Sequence, residues 1–267
     1  MKAARLRPSP LLGASASEVA HRLRGARRLL LLLDFDGTLA PLRPRREQAR
    51  LPSKTGALLN RLARHPRIAV WIISGRSLRD LRARFGRSKR IHCLGVYGAD
   101  GSAGAHPAMP AGGLDTPSRR ALRTALRALS RDVANLAGVW IENKRLSFAL
   151  HYRGARAREI RRARVMLDEA LRPRGKWLRV LAGKKVWEVL PRAIQGKGAA
   201  VGALARSTPS ALVVYIGDDN SDEEAFRALK RGITIRVGGR GESRARYSLR
   251  NPAEVCRFLE FVAAESD

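Results

Sequence analysis

The stretch LLLLLDFDGTLA, residues 29–40, constrains the fold more than any other part of the chain. Five consecutive leucines are too few to cross a bilayer and are typical of a buried strand in a parallel sheet. Asp34 and Asp36 follow at the carboxyl end of that strand, the edge where open α/β sheets bind ligands. Alternation along the extended chain predicts that both carboxylates face one side and Phe35 the other. Two buried acids repel each other unless a cation or a shared proton balances them, so the pattern favours a metal site over a simple Asp-Gly turn.

The remaining apolar runs alternate with helical segments and predict a doubly wound α/β core. RIAVWIISGR, ITIRV and the run before GDDN indicate further buried strands, and residues 1–14 indicate a loose tail. A Gly-, Ala- and Pro-rich linker then leads into a segment with the order α-β-β-α-β-β, which predicts an antiparallel sheet with helices on one face. We therefore expect a parallel-sheet core formed by residues 1–112 and 184–267, with an α+β domain, residues 113–183, inserted into it.

The net charge of +30, from 53 Lys and Arg against 23 Asp and Glu, is spread along the whole chain. We interpret it as a compositional bias, because zinc-finger spacing and an RNA-binding aromatic signature are both missing from the sequence. Nucleic acid is therefore not the expected partner, although a positive surface would attract a phosphorylated substrate. We expect a soluble, cytoplasmic protein without a signal peptide or a membrane-spanning segment.

Cysteine and tryptophan both indicate core positions. Cys93 and Cys256 lie in apolar surroundings, which is typical of buried thiols in a reducing compartment and not of a disulfide framework. Trp71, Trp140 and Trp187 lie within strand runs and are also predicted to pack in the core.

Polar side chains cluster where the predicted strands of the core end. They are Asp34, Asp36 and Thr38 after the first strand, Ser74 and Gly75 after the second, Lys197 at a helix start, and Asp218, Asp219 and Asp222 after a later strand. Carboxylate oxygens with few neutral alternatives select Mg²⁺, which binds one or two carboxylates together with substrate phosphate. Hydroxyl groups and one lysine suit the other oxygens of a phosphoryl group.

These motifs resemble those of the haloacid dehalogenase-type phosphohydrolases. DFDGT is similar to their first motif, Ser74 to the second, Lys197 to the third and GDDNSDEEAF to the fourth. The resemblance implies that Asp34 attacks phosphorus to form an aspartyl phosphate and that Asp36 acts as acid and then as base.

The same resemblance implies a Mg²⁺ site. Asp34, the backbone carbonyl of Asp36 and Asp218 would bind the ion, with Asp219 and Asp222 in contact with it or next to its ligands. Thr38, Ser74, Gly75 and Lys197 would bind the phosphoryl group.

The inserted segment resembles the corresponding part of trehalose-6-phosphate phosphatases. IENK (141–144), HYR (151–153) and GKKVWEVLP (183–191) are the motifs that carry the similarity, which extends over nearly all of residues 27–265. In that family the matching positions imply that Glu142, Lys144 and Glu188 hydrogen-bond sugar hydroxyls. Arg153 and Lys184 would reach towards the phosphate. The resemblance thus implies an enzyme that releases phosphate from a small sugar phosphate. Separately, a monomer is the oligomeric state that we expect.

Two departures from the family pattern leave the substrate open. Tyr97 occupies the position of the histidine in the usual Gly-x-His-Gly motif. Leu190 occupies the position of the arginine in the usual Glu-x-Arg-Pro motif. Trehalose 6-phosphate is the expected substrate, and sucrose phosphate or a glucosylglycerol-type phosphate is the alternative. A basic nucleic-acid-binding protein without catalysis is an alternative of another class, which the intact set of acids disfavours.

Overall fold

A computed structural model describes residues 8–11, 15–43, 46–85, 88–101, 113–183, 185–239 and 241–266. The chain divides into two compact units. The first unit, here called the core unit, comprises the chain up to residue 108 and from residue 196 onwards, and the second, the inserted unit, comprises residues 109–195. Each unit contains one sheet.

The elements of both units are numbered in chain order. The strands are β1 Ser9–Pro10, β2 Arg28–Leu33, β3 Ile68–Ile73, β4 Ile91–Gly95, β5 Asp100–Gly101, β6 Trp140–Asn143, β7 Phe148–His151, β8 Leu178–Gly183, β9 Val186–Pro191, β10 Ala211–Gly217, β11 Ile233–Val237 and β12 Tyr247–Leu249. The α-helices are α1 Ala16–Gly25, α2 Ser53–Leu62, α3 Leu78–Phe85, α4 Thr116–Asp132, α5 Ala157–Leu171, α6 Lys197–Ser207, α7 Glu223–Ala228 and α8 Pro252–Ala264.

The core unit is built on an eight-stranded sheet in the order β1-β12-β11-β10-β2-β3-β4-β5. All neighbouring strands run parallel except β4 and β5, which are antiparallel. The leucine run forms β2, which lies between β10 and β3 near the middle of the sheet. The doubly wound parallel core is therefore confirmed, and the carboxyl ends of β2 and β10 lie side by side.

Helices cover both faces of this sheet. Leu29, Leu31 and Leu33 of β2 belong to one apolar cluster, together with buried residues of α1, α2, α3 and α8. Leu30 and Leu32 belong to another cluster, together with residues of α6 and α7. A strand buried on both faces needs apolar residues at every position, which explains the uninterrupted run of leucines.

The inserted unit has a four-stranded antiparallel sheet in the order β6-β7-β9-β8. Its apolar cluster joins α4 and α5 to side chains of the sheet such as Phe148, Leu150 and Val189. The α+β architecture is as expected, but the predicted end of this domain at residue 183 is wrong. Strand β9 pairs with β7 and β8, so the division lies between residues 195 and 196. The other predicted boundary, at residues 112 and 113, adjoins a stretch outside the described residues.

Several smaller expectations meet different outcomes. Ser9 and Pro10 pair with Tyr247 and Ser248 at the sheet edge, although the sequence indicated a loose tail. Cys93 and Cys256 are buried free thiols, as expected. Trp140 is 41% exposed and so does not lie in the core. Among the described parts of the chain, no helix is both long and apolar enough to cross a membrane.

Candidate active site

The carboxylates that follow β2 and β10 meet at one edge of the core sheet. β2 and β10 pair in parallel up to Leu33 and Ile216, and the backbone N–H of Asp34 donates to the carbonyl of Ile216 at 2.9 Å. Asp34, Asp218 and Asp222 each offer one carboxylate oxygen, and these oxygens lie within 4.8 Å of one another. All three residues are buried. The predicted convergence of the acidic strand ends is thus confirmed.

Gly37 allows the first loop to approach Asp218. It adopts a φ of +83°, and a Cβ atom at this position would lie 2.2 Å from Oδ2 of Asp218. Any other residue would therefore suffer both backbone strain and a direct clash with the carboxylate. The glycine of the DFDGT stretch is required by the contact between the two acidic loops.

Lys197 connects two of the three aspartates. Its Nζ atom donates to Oδ1 of Asp34 and to Oδ1 of Asp222, each at 2.7 Å. Gly196, with a φ of +90°, precedes the helix start and places the lysine at the first position of α6. Burial acts to lower the pKa of Lys197, but the carboxylates of Asp222 and Asp34 outweigh it and hold that pKa well above its ordinary value. The lysine is therefore a fixed positive charge.

Asp34 carries an unfavourable charge despite this partner. Its burial, together with the nearby carboxylates of Asp222 and Asp218, raises the pKa of Asp34 well above its usual range, although Lys197 acts in the opposite direction. A bound cation next to these buried carboxylates would relieve the unfavourable negative charge of Asp34. The donor set therefore fits a hard divalent metal ion.

Asp222 is held by several donors, one of which the sequence analysis missed. It accepts from the hydroxyl of Tyr215 at 2.5 Å and from the backbone N–H of Asp219 at 2.8 Å, in addition to Lys197. Tyr215 is fully buried in β10. Because it lies in an apolar strand run, it looks like an ordinary core residue in the sequence.

The predicted phosphate-binding residues lie next to this cluster or on the neighbouring strand. Thr38 is fully buried and its hydroxyl donates to Oδ2 of Asp34 at 3.3 Å. Ser74 is buried at the end of β3, the strand beside β2, and its Oγ accepts from the backbone N–H of Arg76 at 3.2 Å. Gly75 packs against the ring of Tyr97, where an added Cβ would lie 2.7 Å from the ring carbon Cζ.

Asp36 and Asp219 lie outside the group of three carboxylates found among the described residues. The carboxylate of Asp36 forms a two-pronged ion pair with Arg76, at 2.6 and 2.7 Å. Asp219 is partly exposed and caps the short 3₁₀ turn Asn220–Asp222 by accepting from the N–H of Asn220 at 2.7 Å. Both side chains therefore lie apart from the three carboxylates that could hold a metal ion.

A second polar cluster lies on the sheet of the inserted unit. Lys144 is buried and its Nζ donates to Oε2 of Glu188 at 2.6 Å, while Ser147 donates to Oε1 of Glu188 at 2.7 Å. Glu142 lies 3.8 Å from the same lysine nitrogen and 3.0 Å from Nε2 of His151. Of the five residues predicted to bind the substrate, the structure thus brings together the three that were predicted to hydrogen-bond the sugar.

The other two residues are placed differently. Arg153 is exposed in the turn after β7, and Lys184 lies outside the described residues. His151, which the sequence analysis did not assign to the site, stacks on the exposed ring of Trp140 with their centroids 3.9 Å apart.

Comparison with solved structures identifies the class of fold. A haloacid dehalogenase-like hydrolase from Bacteroides thetaiotaomicron superposes with a TM-score of 0.60 at 16% identity, over 88% of this chain and 99% of that one. The C-terminal domain of Candida albicans trehalose-6-phosphate phosphatase superposes with a TM-score of 0.80 at 22% identity, over 97% and 99% of the two chains. At these identities the likeness shows a shared haloacid dehalogenase-like fold.

Sequence comparison defines the family. The family model described as Trehalose-phosphatase matches residues 32–252, and the chain belongs to this family. A trehalose-phosphate phosphatase of Mycobacterium avium is 33% identical over 256 residues, covering 87% of this chain and 61% of that protein. An uncharacterized glycosyl hydrolase of Mycobacterium tuberculosis is 34% identical over 260 residues, covering 91% of this chain but 19% of that protein. The chain therefore spans less than two thirds of the length of these relatives.

Proposed function

We propose that this protein is a Mg²⁺-dependent phosphatase that hydrolyses trehalose 6-phosphate to trehalose and phosphate. The observation that carries the proposal is the buried group of Asp34, Asp218 and Asp222 around Lys197, at the carboxyl edge of the core sheet. Membership of the trehalose-phosphatase family supports the substrate.

Asp34 and Asp218 are the side chains proposed to hold the Mg²⁺, together with the backbone carbonyl of Asp36. Asp222 accepts from Lys197, Tyr215 and the N–H of Asp219, so its role is to orient the lysine. Asp219 contributes the N–H that fixes Asp222. When bound, Mg²⁺ would neutralise the crowded carboxylates and the charge of the phosphoryl group. The all-oxygen donor set is the reason for naming Mg²⁺.

The chain's own groups then account for two chemical steps. A carboxylate oxygen of Asp34 attacks phosphorus, the bond from phosphorus to the sugar oxygen breaks, and Asp36 gives its proton to the departing oxygen. In the second step Asp36 takes a proton from water, whose oxygen attacks the phosphorus of the aspartyl phosphate. The bond between phosphorus and the Asp34 oxygen breaks, which releases inorganic phosphate and regenerates the Asp34 carboxylate. Lys197, Thr38, Ser74 and the backbone at Gly75 would bind the remaining phosphoryl oxygens.

The polar cluster of the inserted unit is proposed to recognise the sugar. Glu142 and Glu188 can accept hydrogen bonds from hydroxyl groups, and Lys144 can donate to them. Arg153 and Lys184 are proposed to attract the phosphate end of the substrate by charge. A sugar that lacks a matching hydroxyl would leave one of these charged groups without a partner, and this penalty is a source of specificity.

Phosphate release from trehalose 6-phosphate, measured with Mg²⁺ and after metal removal by a chelator, tests the proposal. We expect turnover only with Mg²⁺, and activity that persists without any divalent ion would contradict the metal role. A panel of sucrose 6-phosphate, a glucosylglycerol phosphate and glucose 6-phosphate tests the substrate. Equal, slow hydrolysis of every member would contradict trehalose specificity and would agree with the departures at Tyr97 and Leu190.

The proposed setting is that of a cytoplasmic monomer whose partner is a small sugar phosphate. The buried free thiols of Cys93 and Cys256 support a reducing compartment. Light scattering of the purified chain tests the oligomeric state. Salt-resistant binding of a DNA duplex would contradict the expectation that nucleic acid is not a partner.

A further inference from the structure

Arg76 is a buried guanidinium that contacts the proposed proton carrier. Its side chain is 2% exposed, and Nε and Nη2 donate to the two oxygens of Asp36 at 2.7 and 2.6 Å. A planar guanidinium matches the geometry of a carboxylate with two parallel hydrogen bonds, so the pair fixes the rotation of the carboxylate as well as its position. The Asp36 side chain itself is 19% exposed.

The next turns of the chain hold Arg76 in place. Nη1 of Arg76 donates to Oδ2 of Asp80 at 2.5 Å, and Arg84 contacts the same carboxylate at 3.0 and 3.3 Å. Arg84 also donates to the backbone carbonyl of Ala49. Asp80 and Arg84 are four residues apart and so lie on one face of α3, and Arg76 lies just before the start of that helix. Asp36, Arg76, Asp80 and Arg84 thus form a continuous series of alternating charges, here called the Arg76 ladder.

The backbone beside Asp36 is anchored by the same elements. The guanidinium carbons of Arg76 and Arg84 lie 5.2 and 5.7 Å from the ring centroid of Phe35, and Phe85 packs edge-on against that ring at 5.7 Å. Phe35 is fully buried between the two aspartates of the DFDGT stretch. Asp36 is therefore restrained through its backbone and through its carboxylate at once.

Asp80 is shared between Arg76 and Arg84, so Asp36 is the carboxylate that Arg76 binds with two donors of its own. Charge balance alone does not require two parallel hydrogen bonds, which fix the rotation of the carboxylate. We propose that Arg76 is a positioning residue that holds the Asp36 carboxyl group in the orientation from which a proton, carried on an oxygen lone pair that faces away from the guanidinium, passes to the departing sugar oxygen. The inference rests on the proposed function, because it assumes that Asp36 is the acid and base of a phosphatase.

The leaving group distinguishes this role from a structural one. A sugar alkoxide or an unsubstituted phenolate needs a proton as it departs, whereas p-nitrophenolate departs readily without one. A misplaced acid therefore slows the first two and spares the third. Loss of general structure or of phosphate binding slows all three by the same factor.

The test uses the full chain with Mg²⁺ and a series of substituted phenyl phosphates of similar size. Arg76→Lys keeps the charge but loses the two-pronged geometry. We expect kcat/KM for phenyl phosphate to fall about 100-fold and that for p-nitrophenyl phosphate to fall less than about threefold. Arg79→Lys, an exposed neighbour in α3, is the matched control and should leave both values unchanged.

A second variant keeps the test decisive if Arg76→Lys does not fold. Asp80→Asn removes the other partner of Arg76 at a side chain that is 34% exposed, and we expect a smaller change in the same direction. Equal losses across the series in a folded variant would overturn the positioning role while leaving the proposed function standing. A wild-type chain that hydrolyses none of the phosphate esters would overturn the proposed function, and this inference with it.

Discussion

The two polar clusters of the molecule differ in how their charges are balanced. In the core unit, Lys197 donates to Asp34 and Asp222, but burial and the nearby carboxylates of Asp222 and Asp218 still raise the pKa of Asp34, so its negative charge is unfavourable. In the inserted unit, Lys144 pairs with Glu188 and His151 with Glu142. The first cluster thus favours a bound cation, whereas in the second Glu188 accepts from Lys144 and Ser147 and Glu142 contacts His151. Substitutions in the core cluster should therefore affect catalysis more than stability, and substitutions in the inserted unit should affect both.

The largest effect is expected from Asp34→Asn. Removing the nucleophile should lower kcat by at least about 10³-fold, while the fold stands because an amide of the same size keeps contact with Lys197. Phosphate release and thermal unfolding measure the two properties separately. Asp219→Asn, outside the group of three carboxylates, is the control and should cost less than about tenfold. Retention of a tenth of the wild-type rate in Asp34→Asn would contradict the nucleophile assignment.

Glu188→Ala should lower the stability of the fold as well as the turnover of the sugar phosphate. It removes the nearer of the two carboxylates beside the buried Lys144, so we expect a loss of about 3 kcal/mol in the free energy of unfolding, the lower end of the range for breaking a buried ion pair. Hydrolysis of trehalose 6-phosphate should fall by about 10- to 100-fold, and that of a small aryl phosphate should change little. Denaturant titration and kinetics on both substrates give the measurement. Glu188→Gln, which can still accept from Ser147, should be intermediate, and equal kinetic losses on both substrates would remove Glu188 from sugar recognition.

Tyr215→Phe tests how strongly catalysis depends on the hydrogen bond from Tyr215 to Asp222. The change removes the hydrogen bond to Asp222 and keeps the packing against Phe226, so Lys197 should be held less firmly. A hydrogen bond to a charged group contributes about 1.5–3 kcal/mol, which corresponds to a kcat loss of about 10- to 100-fold if all of it is felt in the transition state. We expect the lower end of that range. Tyr247→Phe, whose hydroxyl donates to Glu18, is the matched control and should leave kcat unchanged.

The smallest expected effect is a dependence of the affinity for Mg²⁺ on pH. Because the pKa of Asp34 is raised, this carboxyl keeps its proton to higher pH than an ordinary aspartate, and Mg²⁺ must displace that proton to bind. Affinity for Mg²⁺ should therefore rise with pH, by at most about tenfold per unit, and level off above the pKa of Asp34. Titration calorimetry on metal-depleted protein checks the slope. Asp34→Asn should lose this component of the slope, and a wild-type affinity independent of pH would be evidence against a protonated Asp34.

The sequence predicted the features that depend on local patterns. Leucines at every position of β2 and acids directly after two apolar strands are visible without coordinates, and parallel pairing is enough to bring them together. Arg76 was missed because Ser-Gly-Arg reads as a strand exit and its partner Asp36 lies 40 positions away. The four-residue spacing of Arg76, Asp80 and Arg84 was the available signal. Tyr215 was missed because its hydroxyl has a partner only in the folded state.

The misplaced domain boundary has a similar origin. The order α-β-β-α-β-β predicted four strands for the inserted segment, but the boundary at residue 183 left out the last of them, Val186–Pro191. Its pairing with β7 and β8 assigns this strand to the inserted unit. Membership of a sheet depends on long-range hydrogen bonds, which periodicity does not encode. The exposure of Trp140 was not predicted for the same reason, because one face of its strand in the inserted unit remains exposed.

The close approach of Gly37 to Asp218 has a consequence for biosynthesis. The two residues lie on opposite sides of the inserted unit in chain order, and β2 lacks its neighbour β10 until the later segment has been made. A nascent polypeptide that has reached residue 195 on the ribosome already contains Asp34 and Asp36 but none of Lys197, Asp218 and Asp222. The proposed hydrolytic site is therefore completed late in translation, and a product truncated within the inserted unit lacks the last three of these residues.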